Sequence, residues 1–123
     1  MEEESQYQDW KSSGMFLRPL TSFVIWLVGG ELSPEFPIDQ MPDGFLMDSE
    51  KITIPVPVGQ VIPLAFISVL TAIDKADHEL TGVYFDSEYT EVAYDGETDN
   101  LTGTLMPNGG IEVYMRWEEI DNN

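Results

Sequence analysis

The chain has 123 residues, 42% of them apolar, with 23 acids against 5 bases and a formal charge of -18. That length and apolar content suit one folded domain and exclude a disordered acidic tail, so the charge has to sit on the surface of a folded body. Cysteine is absent, which excludes disulfides, thiolate metal sites and cysteine nucleophiles, and the charge itself repels nucleic acid and anionic membranes.

Residues 1–14 are polar and acidic, running from Met-Glu-Glu-Glu to Lys-Ser-Ser-Gly, and read as an arm ahead of a β-rich domain over 15–123. Met-Glu-Glu-Glu lacks the basic start of a secretory signal, so no export is expected. Within the arm, Tyr7 and Trp10 are bulky enough to anchor it on a partner; otherwise it is a frayed terminus. Ser22–Gly30, "SFVIWLVGG", is a β-branched and aromatic run closed by glycines, which predicts a core strand buried on both faces.

Glu31–Ser49 carries Pro34, Pro37 and Pro42 and has no sustained period, so it predicts an irregular loop. Its apolar residues, among them Phe36, Met41, Phe45 and Met47, either pack over a sheet edge or form a docking surface between acids. Ile52–Ile73 follows, 22 residues without a charged side chain, long enough to span a bilayer. Pro55, Pro57 and Pro63, with Gly59 and Gln60 between them, would break a lipid-exposed helix, so the run reads as two buried β segments joined at Gly59-Gln60. Over Pro63–Ile73 the proline suits a helix start, while the alternation of Ile67, Val69, Thr71 and Ile73 predicts a strand, the reading preferred.

Asp74–Leu80 reads as a charged connection that holds the sole histidine, His78, as a surface residue. The second half then predicts a meander, with β-prone runs at Val83–Phe85, Thr90–Tyr94, Leu101–Met106 and Ile111–Trp117. In the last run Ile111, Val113, Met115 and Trp117 share one face, and Glu112, Tyr114 and Arg116 share the other. Asp95-Gly96 and Asn108-Gly109 mark hairpin turns. The predicted fold is mainly β: a single-domain β-sandwich or small barrel with a C-terminal antiparallel meander and room for one short helix.

Asp95, Glu97 and Asp99 stand at alternate positions, the way a calcium loop begins. The sixth and twelfth positions of such a loop hold Asn100 and Met106 instead of glycine and a bidentate acid, so the triple is an incomplete metal candidate and no metal or other cofactor is expected. The hairpin reading is preferred, with the acids of the meander, Asp86, Glu88, Glu91, Asp95, Glu97 and Asp99, facing water. Neither a zinc motif nor a phosphate-cradling glycine loop is present, and nothing singles out a carboxylate pair, so an enzyme is the least supported class.

The stretch "FDSEYTEVAYDGETDNLTGTL", Phe85–Leu105, resembles the strand, Asp-Gly turn and glycine-containing next strand of small β-rich head decoration proteins of tailed phages. In that family the segment stands near the beginning with more β structure after it, whereas here a single strand follows. The resemblance implies a non-catalytic protein that docks on a viral capsid lattice and stabilises it. Two expectations follow. One is an assembly protein of a virion or the host cytoplasm, oligomeric or lattice-bound, whose partners are other proteins such as capsid or tail subunits, without direct nucleic-acid or membrane contact. The other is an acidic inhibitor, mimicking DNA or neutralising a toxin, that blocks a basic enzyme through the acids of the meander.

Overall fold

The computed structural model of the protein describes residues 19–120. Strands β1 (Leu20–Trp26), β2 (Glu31–Leu32), β3 (Leu46–Met47), β4 (Lys51–Pro57), β5 (Ile73–Asp74), β6 (His78–Tyr84), β7 (Val92–Tyr94) and β8 (Ile111–Glu119) are accompanied, among the described residues, by one α-helix, α1 (Ala65–Thr71). The described residues are mainly β with a single short α-helix, in agreement with the expected fold class. Six strands form one sheet in the order β3-β4-β1-β8-β6-β7, and β2 pairs separately with β5. β1 and β8 run parallel, with Phe23 opposite Ile111 and Trp26 opposite Tyr114; the other neighbours are antiparallel.

Register decides which side chains share a face. Phe23 lies opposite Ile54 and Ile25 opposite Ile52, Val113 lies opposite Ile25, Met115 lies opposite Val83, and all of these are buried. Onto that face pack Phe66, Ile67, Val69 and Leu70 of α1, together with Met41, Leu101 and Met106 from loops. The Phe66 ring meets Phe23 edge-on, centroids 5.1 Å apart, a favoured aromatic geometry. A fully buried side chain of this kind contributes about 1.5–3 kcal/mol, against about 0–1 kcal/mol for a surface ion pair, so this cluster holds the fold.

Several local expectations are corrected. Pro63–Ile73 is not a strand: Ala65–Thr71 is helical, and Phe66, Ile67, Val69 and Leu70 form its buried stripe at i, i+1, i+3 and i+4. Phe66 N–H donates to the Pro63 carbonyl at 3.0 Å, so the proline sits where a first turn tolerates it. Leu101–Met106 is not a strand either; Val61 and Leu105 form an isolated bridge, and β8 enters the sheet beside β1. The turn before β8 places its positive φ at Gly110 rather than at Asn108-Gly109. A Cβ on Gly110 would lie 2.7 Å from the Ser22 carbonyl oxygen, so close approach to β1 also demands glycine there. β1 is buried on one face only, since Val24 and Trp26 are half-buried. His78 lies in β6 rather than in a connection.

Ile52–Ile73 is divided between β4, the loop beyond it, α1 and the first residue of β5. Among the described residues, no helix is long and apolar enough to cross a membrane.

Candidate interaction surfaces

Three charge-free segments of the sequence, 19–30, 52–73 and 100–111, come together at the end of the sheet where β1 and β8 begin and β4 finishes. Leu20 lies opposite Pro57. Val58 N–H donates to the Pro19 carbonyl at 3.0 Å, Gly59 N–H to Met106 at 2.8 Å, Met106 N–H to Gln60 at 2.9 Å and Ile62 N–H to Thr104 at 2.8 Å. Backbone thus satisfies backbone, and no charged side chain is needed to close this end. Its outward side chains are uncharged, and four of them are large and apolar beside polar Gln60, Thr104 and Asn108: Leu20 is 67% exposed, Leu64 65%, Leu105 59% and Val61 49%. In a chain of charge -18, this pole is where acids give way to uncharged side chains.

The face of the six-stranded sheet opposite the core carries a second feature. Register aligns Lys51 with Trp26, Trp26 with Tyr114 and Tyr114 with Tyr84, so one row crosses β4, β1, β8 and β6. The Trp26 and Tyr114 rings are nearly parallel, centroids 6.1 Å apart, and Tyr84 meets Tyr89 edge-on at 5.4 Å. Lys51 Nζ stands 4.9 Å from the Trp26 ring and the Arg116 guanidinium 5.6 Å from Tyr89, within cation–π range. Glu112 Oε1 accepts hydrogen bonds from Trp26 Nε1 at 2.9 Å and from the Tyr114 hydroxyl at 3.3 Å. Burial, followed by the charge and hydrogen bond of Glu112, pushes the Tyr114 phenol up from its ordinary value. Gly82 leaves room for the Tyr84 ring, which a Cβ would approach to 2.9 Å. The row residues stay half-buried rather than buried.

The acids of the meander are engaged locally. Asp95 Oδ1 accepts backbone N–H bonds from Glu97 at 2.9 Å and Thr98 at 2.6 Å, and Asp99 Oδ1 accepts from Leu101 and Thr102, both at 2.9 Å. Asp86 takes N–H bonds from Thr90 and Glu91 and the Thr90 hydroxyl at 2.6 Å. Each carboxylate caps its own turn, as aspartate does in Asx turns. The Thr98 and Glu97 N–H bonds hold Asp95 below the usual carboxylate range, and the Thr90 hydroxyl does so first at Asp86. At Asp99 burial is the largest influence and acts upward, but the hydrogen bonds from Thr102 and Leu101 outweigh it. The incomplete calcium candidate is therefore corrected: Asp95, Glu97 and Asp99 do not converge, and among the described residues no group of three or more metal-ligating side chains gathers.

The other predicted residues separate. Met41 is 6% exposed and belongs to the core, so it is not a surface anchor. Phe36 and Phe45 pack partly buried against the core, which realises the alternative that this loop covers the sheet. Met47, 46% exposed, lies with Leu46 on the edge strand β3. Glu88, Glu91 and Glu97 are exposed around β7. Tyr7 and Trp10 lie outside the described residues. A hollow of about 380 Å³ between Leu27, Leu32 and Met47 holds Glu31 and Asp48, and the Asp48 carboxylate already accepts the N–H groups of Glu50 and Lys51.

Sequence reasoning passed over both the pole and the aromatic row. The charge-free run Ile52–Ile73 and the outward setting of Tyr114 and Arg116 were signals for them, but assembling either surface requires strand pairing. No family model, no characterised protein and no solved structure with which the chain was compared matches it.

Proposed function

We propose that the protein is a non-catalytic assembly protein that docks on a larger protein assembly, such as a viral capsid or tail, with its acidic surface turned outward. The observation that carries this reading is the row Lys51–Trp26–Tyr114–Tyr84 on the open face of the sheet, continued by Tyr89 and Arg116. Trp, Tyr and Arg are the residues that dominate the energetics of protein interfaces. Two of the three cations among the described residues, Lys51 and Arg116 but not Lys75, lie on this face beside its aromatic rings, where they can meet an acidic partner surface. The carboxylates of Asp48, Asp86, Asp95 and Asp99 cap turns and that of Glu112 holds the Trp26 and Tyr114 side chains, which supports a binding role over a chemical one.

A pull-down from the native source tests this. The wild-type chain is expected to retain an assembly component at low and high salt, and Trp26→Ala with Tyr114→Ala to lose it. Equal retention by the double variant would refute the docking face.

A second reading, an acidic inhibitor of a basic enzyme, draws on the exposed Glu88, Glu91 and Glu97 around β7. It predicts a basic partner released by salt, and release that follows neutralisation of those acids rather than loss of the rings.

A further inference from the structure

We propose that Asn108-Gly109 is a self-modifying site, at which the Gly109 nitrogen closes on the Asn108 side chain, ammonia leaves, and water opens the ring to aspartate or isoaspartate, the isoaspartate loosening the start of β8. The inference is independent of what the aromatic row binds, because the only co-reactant is water.

The turn leaves both reacting groups free. Residues 107–110 are closed by Gly110 N–H, which donates to the Pro107 carbonyl at 3.1 Å, and Pro107, Asn108 and Gly109 are exposed. Among the described residues neither the Asn108 side-chain amide nor the Gly109 N–H has a hydrogen-bond partner, so no bond has to be broken before they meet. Gly109 carries no Cβ to obstruct the approach, and one built there would meet nothing within 4 Å. Asn100 is the contrasting case. Its Nδ2 donates to the Val92 carbonyl at 2.9 Å, and the buried residue after it, Leu101, gives its N–H to Asp99 Oδ1 at 2.9 Å.

The step balances with water alone. When solvent base takes the Gly109 amide proton, the nitrogen bonds to Asn108 Cγ; the Cγ–Nδ2 bond breaks and the side-chain nitrogen leaves as ammonia, taking up a proton from water. Nucleophile and carbonyl belong to adjacent residues, which makes the attack intramolecular. Water then adds to the five-membered succinimide. Addition at Cγ restores the chain as aspartate, and addition at the backbone carbonyl routes it through Cγ as isoaspartate. Nothing is oxidised or reduced.

Either product places a carboxylate in the charge-free segment 100–111, but only isoaspartate lengthens the backbone, by a methylene. Gly110 follows at φ +83°, where a Cβ would lie 2.7 Å from the Ser22 carbonyl oxygen, and Ile111 then opens β8 opposite the buried Phe23. A longer backbone displaces the bond from Gly110 to Pro107 or the fit of Gly110 against β1.

Incubation of the full chain in warm, mildly alkaline buffer, followed by peptide mapping, reads the inference. The tryptic peptide 76–116 carries both Asn100 and Asn108, and fragmentation tells them apart. The expected result is amide-to-acid conversion at Asn108 with Asn100 intact, faster at higher pH, and isoaspartate detectable by isoaspartate-specific methylation. Gly109→Ala, which adds a Cβ in open space at a residue without positive φ, should slow conversion by about tenfold or more with an unchanged circular dichroism spectrum. Asn108→Gln, whose longer side chain disfavours the ring, should do the same. The isoaspartate fraction should melt below fresh protein, while Asn108→Asp, with the same charge on an unlengthened backbone, should melt with it. An amide that persists at Asn108 while an unfolded peptide of the same sequence loses it would overturn the inference, as would conversion first at Asn100 or rates indifferent to Gly109→Ala. Equal melting of the isoaspartate fraction and fresh protein would overturn the loosening of β8.

Discussion

At the end of the sheet where β1 and β8 begin, backbone groups bond to backbone groups, whereas at the opposite end charged and aromatic side chains join the backbone in closing the turns. There Asp48 caps the turn into β4 by accepting the N–H groups of Glu50 and Lys51 at 2.8 and 2.9 Å. Trp117 Nε1 donates to the Leu27 carbonyl at 2.8 Å, and Lys75 Nζ reaches the Val28 carbonyl at 3.4 Å. The difference teaches how one acidic chain keeps a neutral pole. Where aspartate and lysine do the capping, charge is built into the end of the sheet; where prolines, glycines and main-chain bonds do it, the side chains are free to be apolar.

The sharpest way to break this contrast is to remove what the neutral pole rests on. Ile62, next to Val61 in the chain, is 0% exposed, so Ile62→Ala should cost about 2–5 kcal/mol in chemical denaturation, while Leu64→Ala should stay within about 0.5 kcal/mol. Similar losses for the two would mean that the exposed leucine is structural. At the charged end a Cβ on Gly30 would lie 2.6 Å from the Trp117 ring and 2.9 Å from Ile73. Gly30→Ala should therefore cost about 1–3 kcal/mol through overpacking, and an unchanged melting temperature would show that the ring moves freely. Val28, at φ +50° and 43% exposed, holds a β-branched side chain in the left-handed region, which disfavours L-residues by roughly 1–2 kcal/mol. Val28→Asn should raise the melting temperature, and a drop would mean that the valine makes a contact worth more than its strain.

The smallest effect sharpens the role of the carboxylates. Asp48, Asp86, Asp95 and Asp99 are all held below the usual carboxylate value. A lowered folded-state pKa means that their stabilisation is complete above the unfolded value of about 3.9 and is lost as pH falls through the lower folded values. Melting temperature should accordingly decline on acidification below about pH 4. Asp95→Asn with Asp99→Asn should flatten part of that decline, because asparagine keeps the turn-capping oxygen without the titration. An identical acid profile would assign the slope to other groups.

What was legible in the sequence follows the range of the interactions involved. The alternation Ile111, Val113, Met115, Trp117 predicts the inward face of β8 because the strand period is local, and Val113 and Met115 are fully buried as expected. Pro63–Ile73 carries two periods at once. The strand reading fails because Phe66 and Leu70 find partners on the sheet that only a helix can present together. The segment from Glu31 to Ser49 reads as an irregular loop, yet it contributes the short strands β2 and β3, which pair with β5 and β4, and which of its side chains turn inward was not legible: Met41 is buried and Met47 is not. The candidate surfaces were the least legible. Trp26, Tyr84 and Tyr114 become neighbours only through the β1–β8 and β8–β6 registers, and those depend on the whole sheet. The aspartate turns were locally encoded, yet the same spacing that suggested a cation loop was serving the backbone's own N–H groups.

The parallel pairing of β1 with β8 also governs how the molecule comes to be folded. These two strands form the centre of the sheet, and the bond from Trp117 to Leu27 spans 90 positions of sequence. Closing so long a loop must precede the contacts that reward it, and long-range pairing of this kind slows folding. On the ribosome, β1 and β4 emerge well before β8, so the edge of β1 that β8 covers stays open until β8 has been synthesised. The acidic charge that shapes the finished surface therefore acts earlier as well, keeping apart nascent chains whose central strand still waits for its partner.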